Sequence, residues 1–157
     1  MIRGSCLCGG ILFEIAQAAG PFELCHCTRC RKVSGSAFLP GLRVQRSDFK
    51  FSQGTELIST YEAPIREAPP AYRACFCSRC GSPVPDPNTA APSLEVAAGL
   101  LEDDPGLRPE RHIFVEGKAP WFTIEYNLPQ LDKAAVIRLR KVLASSNTVQ
   151  IRSIGVG

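Results

Sequence analysis

The eight cysteines of this 157-residue chain fall into three tight clusters. The clusters are Cys6-Leu7-Cys8, Cys25-His26-Cys27-Thr28-Arg29-Cys30 and Cys75-Phe76-Cys77-Ser78-Arg79-Cys80. A Cys-x-x-Cys pair on a tight turn holds two thiolates at the separation that tetrahedral zinc requires, with Zn–S bonds of about 2.3 Å. Two such pairs are present, Cys27/Cys30 and Cys77/Cys80. The spacing therefore predicts metal binding, with sulfur ligands for a closed four-thiolate site and a second site.

Two other interpretations of the cysteines compete with metal binding. Isolated thiols are often small buried hydrophobic groups, but the clustering argues against this. A redox dithiol at Cys27/Cys30 or Cys77/Cys80 would fit the spacing, yet no thioredoxin-like βαβ pattern surrounds either pair. The spacing leaves open which cysteines share a metal, because Cys6 and Cys8 could complete a site with either later cluster.

The composition is that of one globular domain, with 45% apolar residues. No apolar run is long enough to span a membrane, and the N-terminus lacks the charged-then-apolar pattern of a secretory signal. A cytoplasmic location is therefore expected, with no membrane partner. Thiols stay reduced in the cytosol, so the clustered cysteines indicate metal ligands instead of disulfides.

The formal charge of +3 gives no evidence for a nucleic-acid partner. Seven thiolates and two zinc ions together would contribute a charge of minus three and cancel it. The basic residues are scattered, without the one-face clustering and stacking aromatics of nucleic-acid platforms. The sequence therefore argues against nucleic acid as a partner, and it carries no signal for a particular oligomeric state.

Short strands and Gly/Pro turns must position the cysteines. Residues 2–15 predict a β-hairpin around Gly9-Gly10, which places the first thiol pair at a turn. Arg29 to Ser34 predicts one helical turn that ends at Gly35. Ala37 to Val44 contains Pro40-Gly41 and suggests an edge strand with a bulge. Further strands are predicted at 49–51, 56–61, 72–77, 94–98 and 111–115.

Towards the C-terminus the pattern changes from strand to helix. Apolar residues close to helical spacing predict a helix from Leu131 to Leu143. The sequence thus predicts a mainly β fold with a C-terminal helix. Residues 1–130 are interpreted as the zinc domain and residues 131–157 as a C-terminal extension packed on the same domain.

The three cysteine motifs, in this order, resemble those of the glutathione-dependent formaldehyde-activating enzyme family, whose relatives include centromere-protein-V-like proteins. The matching stretches are Gly4 to Gly10, Cys25 to Ser36, Phe76 to Pro83, His112 to Val115 and Lys118 to Trp121. The resemblance covers about residues 4 to 130. It implies a fold of the β-tent kind, built of short antiparallel strands around zinc knuckles.

The resemblance also implies two zinc ions per chain and divides the cysteines between them. Cys6, Cys8, Cys77 and Cys80 would hold a structural zinc. Cys25, Cys27 and Cys30 would hold a catalytic zinc with one coordination position open. The division makes physical sense, because the first site ties the N-terminal hairpin to a segment roughly seventy residues later and so stabilises the fold.

The implied activity is the condensation of glutathione, as co-substrate, with formaldehyde or a related small aldehyde to give S-(hydroxymethyl)glutathione. In the reverse direction this is a carbon–sulfur lyase reaction. The metal would deprotonate the thiol or polarise the carbonyl oxygen, and the sequence leaves both roles open. Arg29, Arg31 and Lys32 flank the open site and could pair with glutathione carboxylates. A solvated basic turn is the alternative for these three residues.

Several side chains near the motifs carry separate expectations. His26 could transfer a proton or donate to a sulfur, or its side chain could face solvent. His112 is expected to be a hydrogen-bonded structural histidine, with a metal ligand as the alternative. Trp121 and Phe122 are expected to pack in the core, with a place in the wall of a substrate site as the alternative. Cys75 is either a buried additional thiol or a fourth ligand that closes the second metal site.

Two functions of other classes remain alternatives to the enzyme. One is a zinc-stabilised binding module in which both metals are structural and the surface recruits a macromolecule. The other is a sensor that responds to thiol oxidation or zinc release. A fold alone does not decide among them.

Overall fold

The computed structural model describes residues 1–66, 69–125 and 127–152, and within them eleven short strands form three sheets. The strands are β1 (Ile2–Ser5), β2 (Leu12–Ile15), β3 (Phe22–Cys25), β4 (Leu39–Gln45), β5 (Phe49–Gln53), β6 (Ile58–Glu62), β7 (Arg73–Cys77), β8 (Pro83–Val84), β9 (Ser93–Ala97), β10 (Arg111–Ile113) and β11 (Gln130–Leu131). The α-helices of the same residues are α1 (Thr28–Ser34) and α2 (Lys133–Arg152). The predicted mainly β fold with a C-terminal helix is confirmed.

The largest sheet has the strand order β11-β10-β3-β4-β9, and the others are β1-β2-β5 and β6-β7-β8. All pairs in the two smaller sheets are antiparallel. In the largest sheet β10 runs parallel to both of its neighbours, β3 and β11. The prediction of antiparallel strands thus holds except at this side of the largest sheet.

The hairpin of β1 and β2 forms as predicted, with the first thiol pair at its turn. Ile2 pairs with Ile15, and Ser5 pairs with Leu12. The backbone N–H of Cys6 donates to the carbonyl of Ile11 at 3.1 Å, which closes the turn. Alternate residues of the strands point into the core, where Phe13 lies 5.3 Å from Phe49 between ring centroids. Burial of this apolar face holds the first two cysteines against the rest of the domain.

The prediction that β4 lies at a sheet edge is wrong. The strand pairs with β3 on one side and with β9 on the other. The proline is tolerated because β9 ends at Ala97, opposite Gly41, so Pro40 lies one residue beyond the pairing with β9. The missing N–H of Pro40 therefore removes no hydrogen bond from that ladder.

The prediction that Trp121 packs in the core is also wrong, since its side chain is 71% exposed. Trp121 lies in a turn that hydrogen bonds close on both sides. The N–H of Phe122 donates to the carbonyl of Ala119, and the Lys118 ammonium donates to the carbonyl of Phe122. Phe122 lies inward, with its ring 5.6 Å from that of Phe38. Only the second residue of this aromatic pair contributes to the interior.

The C-terminal helix α2 is present but begins two residues later than predicted and continues to Arg152. Asp132 caps its start, because its carboxylate accepts a hydrogen bond from the N–H of Ala135 at 2.7 Å. Val136 is 1% exposed and packs in a cluster with Cys25 and Ile113. Neither α-helix of the described residues is long and apolar enough to cross a membrane.

We expect Gly54→Ala to lower the free energy of unfolding by about 3 kcal/mol or more. Gly54 has φ of +79°, and a Cβ atom there would lie 2.0 Å from the carbonyl oxygen of Gly10. Urea unfolding would measure the loss. Gly106 also has positive φ but has nothing within 4 Å of an added Cβ, so Gly106→Ala should cost only about 1 kcal/mol. Equal losses in the two variants would contradict the close approach at Gly10.

Candidate metal centres and the adjoining cavity

The structure brings together the four cysteines that the resemblance assigns to one metal. Cys6 and Cys8 lie at the β1–β2 turn, whereas Cys77 ends β7 and Cys80 lies in the turn that follows. Their four sulfur atoms all lie within 4.8 Å of one another. The Sγ atoms of Cys6 and Cys8 are 3.5 Å apart, and those of Cys8 and Cys77 are 3.8 Å apart. Zn–S bonds of about 2.3 Å in a tetrahedron require sulfur separations of roughly 3.8 Å, so the four thiols fit zinc.

Hydrogen bonds to the sulfur atoms support the same interpretation. The N–H of Ile11 points at the Sγ atom of Cys6 at 3.3 Å. Ser82 Oγ lies 3.4 Å from Cys80 Sγ and accepts a hydrogen bond from the N–H of Leu7. The Ser82 hydroxyl and backbone lower the pKa of Cys80 to about 5. Donors around sulfur stabilise thiolates, the form that binds metal.

The second cluster is contained within six residues. Cys25 ends β3, Cys27 occupies the N-cap position of α1, and Cys30 lies in the first turn of that helix. The three sulfur atoms lie within 4.8 Å of one another. The N–H of Cys30 points at the Sγ atom of Cys27 at 3.4 Å. The helix ends at Gly35 as predicted. Its first turn places Cys30 next to Cys27.

The three thiols of this cluster cannot all ionise without a cation between them. Hydrogen bonds from Cys25 and Cys30 lower the pKa of Cys27 to about 2. The hydrogen bond to Cys27 raises the pKa of Cys25 to about 12, and bonds to Cys25 and Cys27 raise the pKa of Cys30 well above its usual range. The close packing of the three sulfur atoms thus favours ionisation of Cys27 and opposes ionisation of Cys25 and Cys30. A divalent cation would allow all three to act as thiolate ligands.

Cys75 lies outside both clusters. Its side chain is 4% exposed, and its sulfur lies 3.3 Å from Thr60 Oγ1 on the neighbouring strand β6. Burial raises the pKa of its thiol. The interpretation as a buried additional thiol therefore fits the structure, and the three-cysteine cluster has no fourth cysteine among the described residues.

His26 is fully buried, so the alternative in which its side chain faces solvent is wrong. Its Nε2 atom lies 2.8 Å from Nδ1 of His112, within hydrogen-bond distance. Burial, and then the neighbouring His112, lower the pKa of His26 to about 4. The predicted structural role of His112 agrees with this contact. The pair joins the backbone between Cys25 and Cys27 to strand β10.

The turn after β10 packs directly on the second cluster. A Cβ atom at Gly117 would lie 3.0 Å from the carbonyl oxygen of His26 and 3.3 Å from Cα of Cys27. Phe114, at the start of this turn, has φ of +55°, which a bulky residue rarely adopts. Such backbone strain persists where surrounding structure holds a functional site in place.

A cavity of about 630 Å³ adjoins Cys27. Its volume is in the range of small-molecule sites, roughly 300 to 1,000 Å³. Cationic and apolar side chains line it together with the acidic Glu116, and they include Arg29, Arg66, Lys133, Ile65, Phe114 and Ile137. The three-thiol cluster therefore has a space beside it that can hold a ligand, whereas none of the four-thiol cysteines lines this space.

The three basic residues predicted to bind a substrate are placed differently. Arg29 lines the cavity, and its guanidinium carbon lies 5.2 Å from the ring centroid of Tyr72. Arg31 and Lys32 follow in α1, and neither lines this cavity. Sequence reasoning missed Arg66, Phe114 and Ile137. Ile137 does not belong to the apolar stripe that predicted the helix. An apolar residue outside that stripe is the one sequence signal that could have indicated a second contact surface.

Comparisons with known proteins agree with the motifs. A family model described as glutathione-dependent formaldehyde-activating enzyme matches residues 1–117. A Halomonas elongata protein with that same description as its provisional name is 32% identical over 131 residues, which cover 80% of this chain and 82% of that protein. A crystal structure of a Rhodobacter sphaeroides protein aligns with a TM-score of 0.49 at 25% identity, covering 68% of this chain and 91% of that one.

Proposed function

This chain belongs to the glutathione-dependent formaldehyde-activating enzyme family, and from that premise we propose that it is a zinc-dependent enzyme of the carbon–sulfur lyase type. It acts on glutathione adducts, joining glutathione to formaldehyde or a related small aldehyde. The observation that carries the proposal is the position of Cys27, which belongs to the three-thiol cluster and also lines the cavity. A metal held there would be accessible to a ligand.

In this proposal the two clusters have different roles. Cys6, Cys8, Cys77 and Cys80 hold a structural zinc that joins the N-terminal hairpin to β7. Cys25, Cys27 and Cys30 would hold a second zinc, and Cys27 places that metal site beside the cavity. When bound, this zinc supplies Lewis acidity, which lowers the pKa of a thiol and polarises a carbonyl oxygen.

The residues of the chain hold and orient the reactants. The reaction forms a sulfur–carbon bond and breaks the carbonyl π bond, and the thiol proton ends on the aldehyde oxygen; the lyase direction reverses each change. Arg29 pairs with a glutathione carboxylate in the cavity, and Arg31 and Lys32 add positive charge to the same turn. The His26–His112 pair fixes the backbone that carries Cys25 and Cys27.

The proposal extends to domain organisation and location. Residues 1–130 form the zinc domain, and residues 131–157 form an extension packed on it, of which residues 153–157 lie outside the described part. The packing is supported by Val136, which contacts the core beside Cys25. We place the enzyme in the cytoplasm, where glutathione is abundant in reduced form and thiol ligands stay unoxidised.

Exchange NMR of a glutathione and formaldehyde mixture tests the activity directly. The zinc-loaded protein should accelerate the interconversion of free glutathione and S-(hydroxymethyl)glutathione well above the rate in buffer. Zinc content should be two per chain in the same sample. A protein with two zinc ions that leaves the exchange rate at its buffer value would contradict the enzyme and favour a binding module.

Substitution of Arg29 by glutamine should weaken glutathione binding by about tenfold or more, because a charge-assisted hydrogen bond contributes roughly 1.5 to 3 kcal/mol. The near copy of the motif offers a matched control. Arg79 occupies the same place in Cys77-Ser78-Arg79-Cys80 and is exposed away from the cavity, so Arg79→Gln should change the affinity for glutathione less than about twofold. Similar effects of both changes would mean that general charge, and not the cavity, attracts the substrate.

A further inference from the structure

The first turns of helix α2 are fastened beside the cavity. The helix begins at Lys133, beyond residue 117 where the family match ends. Its first backbone N–H, that of Lys133, donates to the Glu116 carboxylate at 3.2 Å, and Asp132 caps the N–H of Ala135. Glu116 belongs to the turn that packs on Cys27 through Gly117. The start of the helix is thus bonded to the same turn that contacts the metal-ligand segment.

The next turns of α2 cover the three-thiol cluster from one side. Val136 is buried against Cys25 and Ile113. One turn further, a guanidinium nitrogen of Arg140 lies 3.6 Å from a carboxylate oxygen of the buried Glu23 in β3. The same guanidinium lies 5.9 Å from the ring centroid of Phe114. These contacts hold residues 133 to 140 in one position relative to the cluster.

Ile137 follows the buried Val136 and lines the cavity together with Cys27. It remains 44% exposed, and Ile65, which shares the lining, is 55% exposed. Phe114 adds an aromatic surface to the same space. The cavity therefore combines an apolar region with the cationic groups of Arg29, Arg66 and Lys133, next to the sulfur cluster. Glu116 also lines it, and its carboxylate already accepts the N–H of Lys133. A ligand that matches it has carboxylates and an apolar substituent near its own sulfur.

We propose that α2 forms the side of the cavity that selects among substrates, called here the specificity wall, and that Ile137 is its specificity-determining residue. The cavity then takes glutathione adducts whose carbon substituent is apolar and larger than hydroxymethyl. This rests on the proposed function for the identity of the thiol. Formaldehyde has no substituent to place against Ile137, so the apolar wall adds nothing to its selection. An aldehyde with an alkyl chain would bury that chain between Ile137, Ile65 and Phe114.

The test uses two unreactive probes, S-methylglutathione and S-hexylglutathione, with calorimetric titration of the zinc-loaded full chain. The longer chain should bind at least about tenfold more tightly, since each buried methylene contributes favourably. Ile137→Ala should weaken S-hexylglutathione about fivefold and leave S-methylglutathione unchanged. Ile137→Trp, which fills the space, should weaken S-hexylglutathione by more than the alanine variant does. Circular dichroism confirms that each variant is folded.

Leu143→Ala is the matched control, because Leu143 lies on the same helix, is 48% exposed and does not line the cavity. It should leave both affinities unchanged. Equal affinities of the two probes for the native protein, or equal effects of Ile137→Ala and Leu143→Ala, would overturn the specificity wall alone. A native protein that binds neither probe would overturn the glutathione site and the wall together. Chain-length selectivity that depends on Ile137, without accelerated formaldehyde exchange, would support the wall and contradict the formaldehyde reaction.

Discussion

Cys77→Ser should lose the zinc of the four-thiolate site and fail to fold at ordinary temperature. Structural zinc bound by thiolates contributes roughly 10 to 16 kcal/mol, and the whole stability of a domain is only about 5 to 15 kcal/mol. Cys77 is completely buried, so no water can take the place of its sulfur without opening the core. Circular dichroism, with zinc measured by mass spectrometry, would show the loss of structure and of one metal ion.

Cys75 provides the control for that experiment within the same strand. It lies two residues before Cys77 in β7 and is also buried, but its sulfur contacts Thr60 and not the cluster. Cys75→Ser should keep both zinc ions and lose only about 1 to 2 kcal/mol of stability. If the two variants were equally stable, the four thiols would be ordinary unligated side chains and the structural zinc would have to be given up.

Cys30→Ser should abolish turnover and leave the fold intact, with one zinc ion fewer per chain. Changes at residues that merely orient a metal ligand already cost about 10- to 100-fold in activity or metal affinity, so loss of a ligand should cost at least about a hundredfold. The fold should survive because the three ligands lie within six residues, so a metal held by them would cross-link no distant segments. Exchange NMR, zinc content and a thermal melt on the same sample would check the three expectations.

Cys75→Ser also controls this experiment, because it removes a thiol that belongs to neither cluster and should retain full activity. Unfolding of Cys30→Ser to the same extent as Cys77→Ser would mean that both metals are structural. In that case the binding module, and not the enzyme, would account for the family motifs in this chain.

The local elements around the cysteines were predictable because their signals are local. Gly9-Gly10 specifies the first turn, and Gly35 specifies the end of α1 by adopting the left-handed conformation there. The spacing of the cysteines predicted a four-thiolate site and a second site, the family resemblance assigned the cysteines to them, and the structure brings the same two groups together. Spacing alone could not pair Cys6 and Cys8 with the third cluster, since that pairing depends on how three sheets pack.

The features that sequence reasoning missed depend on contacts between distant segments. Pro40 suggested an edge strand, but the length of β9, which ends opposite Gly41, allows β4 to lie inside the sheet. Trp121 is a large aromatic residue of the kind expected in a core. It is exposed because a turn two residues long directs Phe122 inward in its place. Residues from four separate segments line the cavity. The periodicity of any one segment does not predict which other segments it will meet.

The burial of Val136 against Cys25 would couple the C-terminal helix energetically to a metal held by Cys25. Ligation would order the Cys25 side chain, and docking of α2 covers it, so each event should favour the other by the same factor. The helix would then act as a reporter of metal occupancy: amide hydrogen exchange in residues 133 to 140 should slow when the second zinc binds. Conversely, removal of the helix should loosen that metal while the four-thiolate site keeps its affinity.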